Sequence, residues 1–399
     1  MSDFKTELGF QDCWAPPARS GSVKSPASGY FSTGGKPSPK GKEQAEQAPA
    51  RQATTISAAD KARLARVVNK TPEVMVKVSK PAKVDKSGNT IVVNRRTEGI
   101  RVRAHLDYIS RNGKLDIETS DGAILTGKAA TAALYHDWMK RHDEDRDNGD
   151  ATDRTRITTS IVFSMPGNTN ATAVKDAVRA LAENEFGGRH DYAMALHTDT
   201  KHPHVHLTVR TVGNDGVKLN LRKADLQHLR DVFAEKLRQR GIEAESTPRH
   251  ARGVTRKGER TPVYKMRQRG KTPYVDKAKQ REVRRDLQEN GGRMPSRPWD
   301  GAIVERRNRV MRTYSAAAAL LAESHDPEDR ALGRAVAAFS GRLTDVTTER
   351  GAMALRAPVE RSEKIPGAGQ KQPEGRGRVR ERDEDEKRPE QSRGPPRER

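Results

Sequence analysis

The residues whose types and spacing carry the most chemistry are His197, His204 and His206. They lie in the stretch His197-Thr198-Asp199-Thr200-Lys201-His202-Pro203-His204-Val205-His206-Leu207-Thr208-Val209. On a strand, positions i and i+2 project from one face, so His204 and His206 share a side while Val205, Leu207 and Val209 form a core-facing row on the other. The short run from Thr198 to Pro203 turns the chain back, which puts His197 on the neighbouring strand. Three imidazoles then converge and leave coordination positions open for water or substrate, as in a catalytic metal site. Histidines that merely face solvent from a hairpin are the plainer reading, and a same-face pair with a third member across a tight turn weighs against it. Asp199 is placed to orient a ligand imidazole. His202 falls outside the pattern and reads equally well as an exposed loop residue. By ligand type, neutral imidazoles suit Zn, Mn, Ni or Co, whereas Mg prefers oxygen.

Hydrophobic periodicity supplies the elements that must hold these side chains. Strands are predicted over Val74–Val78, Thr90–Val93, Ile157–Phe163, Asp191–Thr198, His204–Val212 and Val217–Leu221. Within Ile157–Phe163, the residues Ile157, Thr159, Ile161 and Phe163 share a face. Helices are predicted over Ala104–Arg111, stopped by Asn112-Gly113, and over Ala129–His142 with Leu134 and Trp138 on one face. An Asp-rich loop is expected from Asp143 to Asp153. An amphipathic helix carries Val174, Ala177, Val178, Leu181, Ala182 and Phe186, and another runs from Ala224 to Arg240. The expected fold is α+β, a largely antiparallel sheet with helices packed on it. Further helices are expected over Val304–Ala322 and Pro327–Ser340.

Composition bounds the rest. The 399 residues are 33% hydrophobic and 33% charged, with a mean hydropathy of −0.92, so one core of typical domain size is expected. Residues 1–70 read as a flexible arm, 71–255 as the folded domain, 256–355 as a basic and partly helical region, and 356–399 as a disordered charged tail. The net charge of +22 and pI near 10.1 point to a polyanionic partner. Nucleic acid is favoured over a membrane, since the sequence has no long apolar run and membrane insertion is not expected. Basic residues such as Arg249, Arg252, Arg256 and Lys257 would together follow a single-stranded backbone, although for any one of them a solvated linker is the plainer reading. A single cysteine, Cys13, excludes an internal disulfide and a Cys-based metal cluster, and a cytoplasmic location fits both this and the lack of a secretory start.

His197-x-Asp199 followed by Pro203-His204-Val205-His206 resembles the third motif of conjugative relaxases, the mobilisation nucleases of the HUH endonuclease superfamily. The branch that includes the T-DNA border endonucleases is the best fit. His105-Leu106-Asp107-Tyr108-Ile109-Ser110-Arg111-Asn112-Gly113 resembles its nucleophile motif, and Ile161-Val162-Phe163-Ser164-Met165-Pro166 its serine motif. Leu219-Asn220-Leu221-Arg222-Lys223, with the helix to Gly241, also matches, so the likeness runs from about Pro72 to Gly253.

The resemblance implies nicking and rejoining of one DNA strand at a transfer origin, with Tyr108 forming a 5′-phosphotyrosyl intermediate. It implies a divalent cation, Mg or Mn, on His197, His204 and His206, and Ser164 holding the DNA near the cleaved bond. A phenol titrates near 10, so a cation or base must help it ionise. Leu106 and Ile109 face the core and leave Tyr108 at the edge of the apolar stripe. The rival Tyr135 has Leu134 and Trp138 beside it and fits a core role. His105 reads either as a base or as a solvent-facing residue. Arg111, Arg222 and Lys223 are the expected DNA contacts. Implied partners are single-stranded origin DNA, accessory relaxosome proteins and a type IV secretion coupling protein, with translocation of the DNA-linked protein to a recipient cell. Two other readings stand beside this one. A rolling-circle replication initiator usually places its tyrosine after the histidine motif, whereas Tyr108 precedes it by roughly ninety residues. A metal-stabilised DNA-binding protein would have no nuclease activity.

Overall fold

The computed structural model describes residues 10–14, 56–79, 87–254, 259–343 and 347–356. Two helices come first, α1 (Phe10–Trp14) and α2 (Ala58–Val68). The central part runs β1 (Met75–Val78), α3 (Arg95–Ile109), β2 (Ile117–Thr119), β3 (Ile124–Leu125), α4 (Gly127–Asp147), β4 (Thr158–Ser164), α5 (Ala171–Phe186), β5 (Tyr192–His197), β6 (His204–Arg210) and α6 (Lys223–Arg238). Five helices follow: α7 (Thr261–Gln268), α8 (Tyr274–Glu289), α9 (Asp300–Ala322), α10 (Pro327–Gly341) and α11 (Glu349–Arg356).

The strands form one sheet in the order β1-β4-β6-β5-β2-β3, and every neighbouring pair is antiparallel. The fold is therefore α+β, as the periodicity predicts. Strand alternation gives the sheet two buried faces. Ile161, Phe163, Met194, Val205, Leu207 and Val209 point to one face, where they meet Val174, Val178 and Leu181 of α5 and Leu229, Phe233 and Leu237 of α6. Ala193 and Ala195 of β5 point to the other, under Val102, Leu106 and Ile109 of α3 and Trp138 of α4. Burying a side chain of this size contributes roughly 1.5–3 kcal/mol. The small alanines let α3 lie close to the sheet, and the histidines occupy the same face.

The structure revises several expected elements. No strand forms over Ile91–Val93; Asn94 instead caps α3, which starts at Arg95 rather than Ala104. Asn94 Oδ1 accepts from Thr97 N at 2.9 Å, and Thr97 Oγ1 accepts from Asn94 N at 3.0 Å. That reciprocal cap satisfies first-turn donors, with threonine in the place usually taken by Glu or Gln. Ile157 precedes β4 and packs in the α3–α4 cluster, away from Ile161 and Phe163. Val217–Leu221 makes a lone bridge, Val212 to Lys218, instead of a strand. The helix α4 runs on to Asp147, through the first part of the expected Asp-rich loop.

A second core lies outside the sheet. Phe10, Cys13 and Trp14 of α1 and Leu64 and Val67 of α2 pack with Val310, Tyr314 and Leu321 of α9 and Val336 and Phe339 of α10. Trp14 Nε1 donates to Tyr314 Oη at 3.2 Å, and Tyr314 Oη donates to the Ala251 carbonyl at 2.8 Å. Parts of the expected N-terminal arm are thus helices with buried aromatics, because these isolated aromatics find partners roughly 300 residues away in sequence. Residues 1–9 and 15–55 of the arm, and those after Arg356, lie outside the described residues. Arg252, expected along a nucleic-acid backbone, donates instead to the Thr71 carbonyl at 2.6 Å. Among the described residues no helix is long and apolar enough to cross a membrane.

Glu245 ties α2 to the sheet. It is 1% exposed and accepts from Ser246 N, Thr247 N and Thr247 Oγ1 at 2.8 Å each, and from Arg66 Nε at 2.7 Å. Burial alone would raise its pKa, but the bonds from Thr247 and Arg66 outweigh that and hold the carboxyl below its ordinary value. A depressed carboxyl contributes stability above its unfolded pKa and loses it as pH falls. Glu245→Ala is expected to cost about 3–5 kcal/mol at neutral pH by stranding Arg66 and the loop donors. In urea unfolding the gap to the parent protein should narrow as pH drops through the carboxylate range; a pH-independent gap would contradict this account.

Candidate active site

The histidine cluster follows from register. In the β5–β6 pair His197 stands opposite His204, and Ala195 opposite His206. On β4 Ser164 pairs with His204 and Val162 with His206, so the cluster sits on central strands. Ring centroids are 5.1 Å apart for His197 and His204, 4.6 Å for His197 and His206, and 5.2 Å for His204 and His206. One nitrogen from each ring lies within 4.8 Å of the other two, a group that could hold a metal ion.

Hydrogen bonding sorts the ring nitrogens. His197 Nε2 donates to the Ile109 carbonyl at 2.8 Å, which leaves Nδ1 as an acceptor for Arg111 Nη2 at 3.1 Å. His204 Nδ1 donates to the His202 carbonyl at 3.1 Å, which leaves Nε2 with its lone pair. His206 is buried, and neither of its nitrogens has a hydrogen-bond partner among the described residues. Burial, then the neighbouring His197 and His204, pushes its pKa down to about 3. Burial first, offset by the Ile109 bond, also lowers His197. Buried His197 and His206, with pKa values lowered by burial and both His206 nitrogens orphaned, stand beside His204 and make a donor set that a divalent cation fits.

The end of α3 delivers the other groups. Leu106 and Ile109 are buried, and Tyr108, 50% exposed, turns toward the histidines. Its ring centroid lies 5.4 Å from that of His206 and 5.8 Å from that of His197. The helix stops in three consecutive left-handed residues, Arg111 (φ 52°), Asn112 (φ 57°) and Gly113 (φ 81°). Two of these carry side chains, and non-glycine residues there each cost of order 1–3 kcal/mol. The reversal places the Arg111 guanidinium 4.8 Å from the Tyr108 ring centroid, where it pairs with Asp199 as well as His197. At Gly113 a Cβ would sit 2.4 Å from Lys128 N. Gly113→Ala is therefore expected to destabilise the protein by more than about 1 kcal/mol and to displace Arg111. Thermal melting checks this, and an unchanged melting temperature would rule out the steric argument.

Other candidates take different places. Ser164 is buried, and its Oγ donates to the Pro203 carbonyl at 3.1 Å, bracing the loop that delivers His204. The α5 N-terminus lies further on, capped by Asn170. His105 does not face solvent: its Nε2 lies 2.9 Å from both Thr208 Oγ1 and Ser160 Oγ, and burial lowers its pKa. Tyr135 packs on α3, with its Oη 3.3 Å from where a Cβ at Gly99 would lie. Arg222 and Lys223 open α6, just after Leu219, whose N–H bonds to the Thr211 carbonyl. That is the opposite end of β6 from His204, about 20 Å along the strand. Tyr108, Arg111, Asp199 and the three histidines are thus brought together, with Ser164 beside them, and Arg222 and Lys223 are not. The bridging role of Arg111 and the seat of His105 were missed. The row His204, His206, Thr208 on one strand face was the readable sign for His105.

An antiparallel sheet with a three-histidine centre on its middle strands, faced by a tyrosine from a packed helix, defines an α+β nuclease architecture. The family model for relaxases, described as the MobA/VirD2-like nuclease domain, matches residues 108–242. That stretch is a relaxase nuclease domain of the MobA/VirD2-like branch. The chain is 28% identical over 218 residues to the T-DNA border endonuclease VirD2 of Rhizobium radiobacter, covering 49% of this chain and 51% of the relative. It is 30% identical over 163 residues to that of Agrobacterium fabrum, covering 38% and 36%. The match to the Rhizobium rhizogenes protein is 30% over 162 residues, covering 37% of each. The chain spans about half or less of the length of these relatives.

Proposed function

We propose that this chain nicks and rejoins one DNA strand at a transfer origin and so initiates conjugative transfer or mobilisation of a plasmid or element. The observation that carries the reading is the convergence of Tyr108 on His197 and His206, with ring centroids within 6 Å across roughly ninety residues of chain. Tyr108 Oη attacks the phosphorus, the new Oη–P bond forms, and the bond from phosphorus to the 3′ oxygen breaks. The proton lost by the phenol is matched by the one the 3′ oxygen takes. The product is a 5′-phosphotyrosyl adduct and a free 3′-hydroxyl, and reversal rejoins the strand because the phosphodiester energy is retained.

His197, His204 and His206 would hold a divalent cation, Mg or Mn, which neutralises charge on the attacked phosphate. Arg111 places a second positive charge beside the phenol, where it can meet a phosphate oxygen. Asp199 acts through Arg111 by fixing its guanidinium, and Ser164 acts through the Pro203 carbonyl by holding the histidine loop. Arg222 and Lys223 would contact DNA away from the cleaved bond. This reading requires accessory proteins that present the origin and a type IV secretion coupling protein, with the chemistry in the cytoplasm and the DNA-linked protein passing to a recipient. The test incubates the purified chain with end-labelled single-stranded origin DNA and Mn. A covalent adduct on a denaturing gel is the expected result; its absence with Mg and with Mn would leave a DNA-binding protein without nuclease activity.

A further inference from the structure

Helix α8 lies outside the relaxase match, and its charges are segregated by face. Asp276 pairs with Arg267 at 2.6 Å, and Asp286 with Arg297 at 2.9 Å and with Arg350. Glu282 is directed to the same two arginines, Arg297 at 3.5 Å and Arg350 at 3.7 Å. Val283, on that side, is buried. Tyr274, Lys277, Arg281 and Arg284 follow at i, i+3, i+7 and i+10, which aligns them on the opposite face along about 15 Å of helix. All four are exposed, Tyr274 by 74%. No carboxylate among the described residues pairs with Lys277, Arg281 or Arg284. With Gln280 these residues line an open groove of about 400 Å³, and the Arg281 guanidinium lies 5.8 Å from the Tyr274 ring centroid.

We propose that this face of α8 is a second nucleic-acid surface, which takes the backbone of single-stranded DNA on Lys277, Arg281 and Arg284 and stacks a base on Tyr274. Cations along one face with no carboxylate beside them supply complementary charge for successive phosphates. An aromatic ring left in water beside them offers a platform that unpaired bases use and duplex bases cannot reach. A lipid surface fits poorly, because a membrane-lying helix needs an apolar face beneath its cations and here Tyr274 alone is aromatic or apolar in the row. In its choice of strand the inference rests on the proposed nickase reading, since a nicked origin releases single-stranded DNA near the protein.

The experiment uses the full chain in a Tyr108→Phe background and an oligothymidylate without origin sequence, so failure of the nicking chemistry leaves the measurement untouched. Fluorescence anisotropy across a salt series is expected to show at least tenfold weaker binding for Lys277→Ala/Arg281→Ala/Arg284→Ala. The slope of log K against log salt should fall by about 2, at roughly 0.7 for each phosphate no longer neutralised. Tyr274→Ala should weaken binding by at least about fivefold with the slope unchanged, while Tyr274→Phe retains it. Photocrosslinking to iodouracil-substituted strands should map to the peptide containing Tyr274. The assignment is overturned if the triple variant keeps the parent affinity and slope, if crosslinks fall only outside α8, or if the parent protein does not bind. It is also overturned if duplex DNA, an acidic peptide or anionic vesicles compete as well as the single strand.

Discussion

Tyr108→Phe is expected to abolish the covalent protein–DNA adduct and to lower strand cleavage by at least about 10³-fold, because in the proposed reaction it removes the bond-forming atom that the rest of the site only assists. The substitution is clean in structural terms. Phenylalanine keeps the ring contacts with His197 and His206 and the ring face under Arg111, and Tyr108 as a whole is half-exposed. The melting temperature should therefore stay unchanged while the adduct disappears. Tyr135→Phe is the matched control. The Tyr135 ring packs at Gly99, nine residues and about 13 Å up the α3 axis from Tyr108, so its hydroxyl is out of reach of the histidines. The measurement is a denaturing gel of end-labelled single strand with Mn. An adduct that survives Tyr108→Phe and is lost in Tyr135→Phe would move the nucleophile to α4 and sink the assignment.

What was legible before the structure was the part of the site written in strand periodicity. Alternation alone puts His204 and His206 on one face and Val205, Leu207 and Val209 on the other, and a short turn alone brings His197 alongside, as the β5–β6 register shows. The same rule recovers four strands of the antiparallel sheet, β1, β4, β5 and β6, but not the short β2 and β3. The histidines' surroundings depend on contacts between distant segments, and those were not legible. Nothing local says that the Ile109 carbonyl will take the His197 Nε2 proton, or that Arg111 will reverse over Tyr108 to reach Asp199. The Asn112-Gly113 pair announced the end of the helix, but the left-handed Arg111 did not follow from it, since an arginine there is strained and is retained only by its partners. For the start of α3, the cap was hidden because Thr97 stands where Glu or Gln is usual. The helical core around Tyr314 escaped for a different reason. Phe10 and Trp14 are isolated aromatics in a polar stretch, and composition assigns such stretches to solvent until a partner such as α9 is known.

His206→Leu should separate what the site costs from what it does. Each buried nitrogen without a partner loses its hydration with no compensating bond, about 1–3 kcal/mol by comparison with satisfied groups. Leucine of similar volume removes both nitrogens of His206 from the α3-covered face of β6. In chelator-treated protein the variant is therefore expected to melt higher than the parent, a reversal of the usual effect of a core substitution. With Mn the order should invert. A cation bound only by the folded state stabilises it by mass action, and the variant, left with His197 and His204, should bind at least about 100-fold more weakly. Titration of the melting temperature with Mn, run on both proteins, reads the two effects together. Equal stabilisation by Mn would remove His206 from the ligand set. A variant that melts lower without metal would mean that its imidazole is satisfied by water, and the argument from orphaned nitrogens to a cation site would then fail.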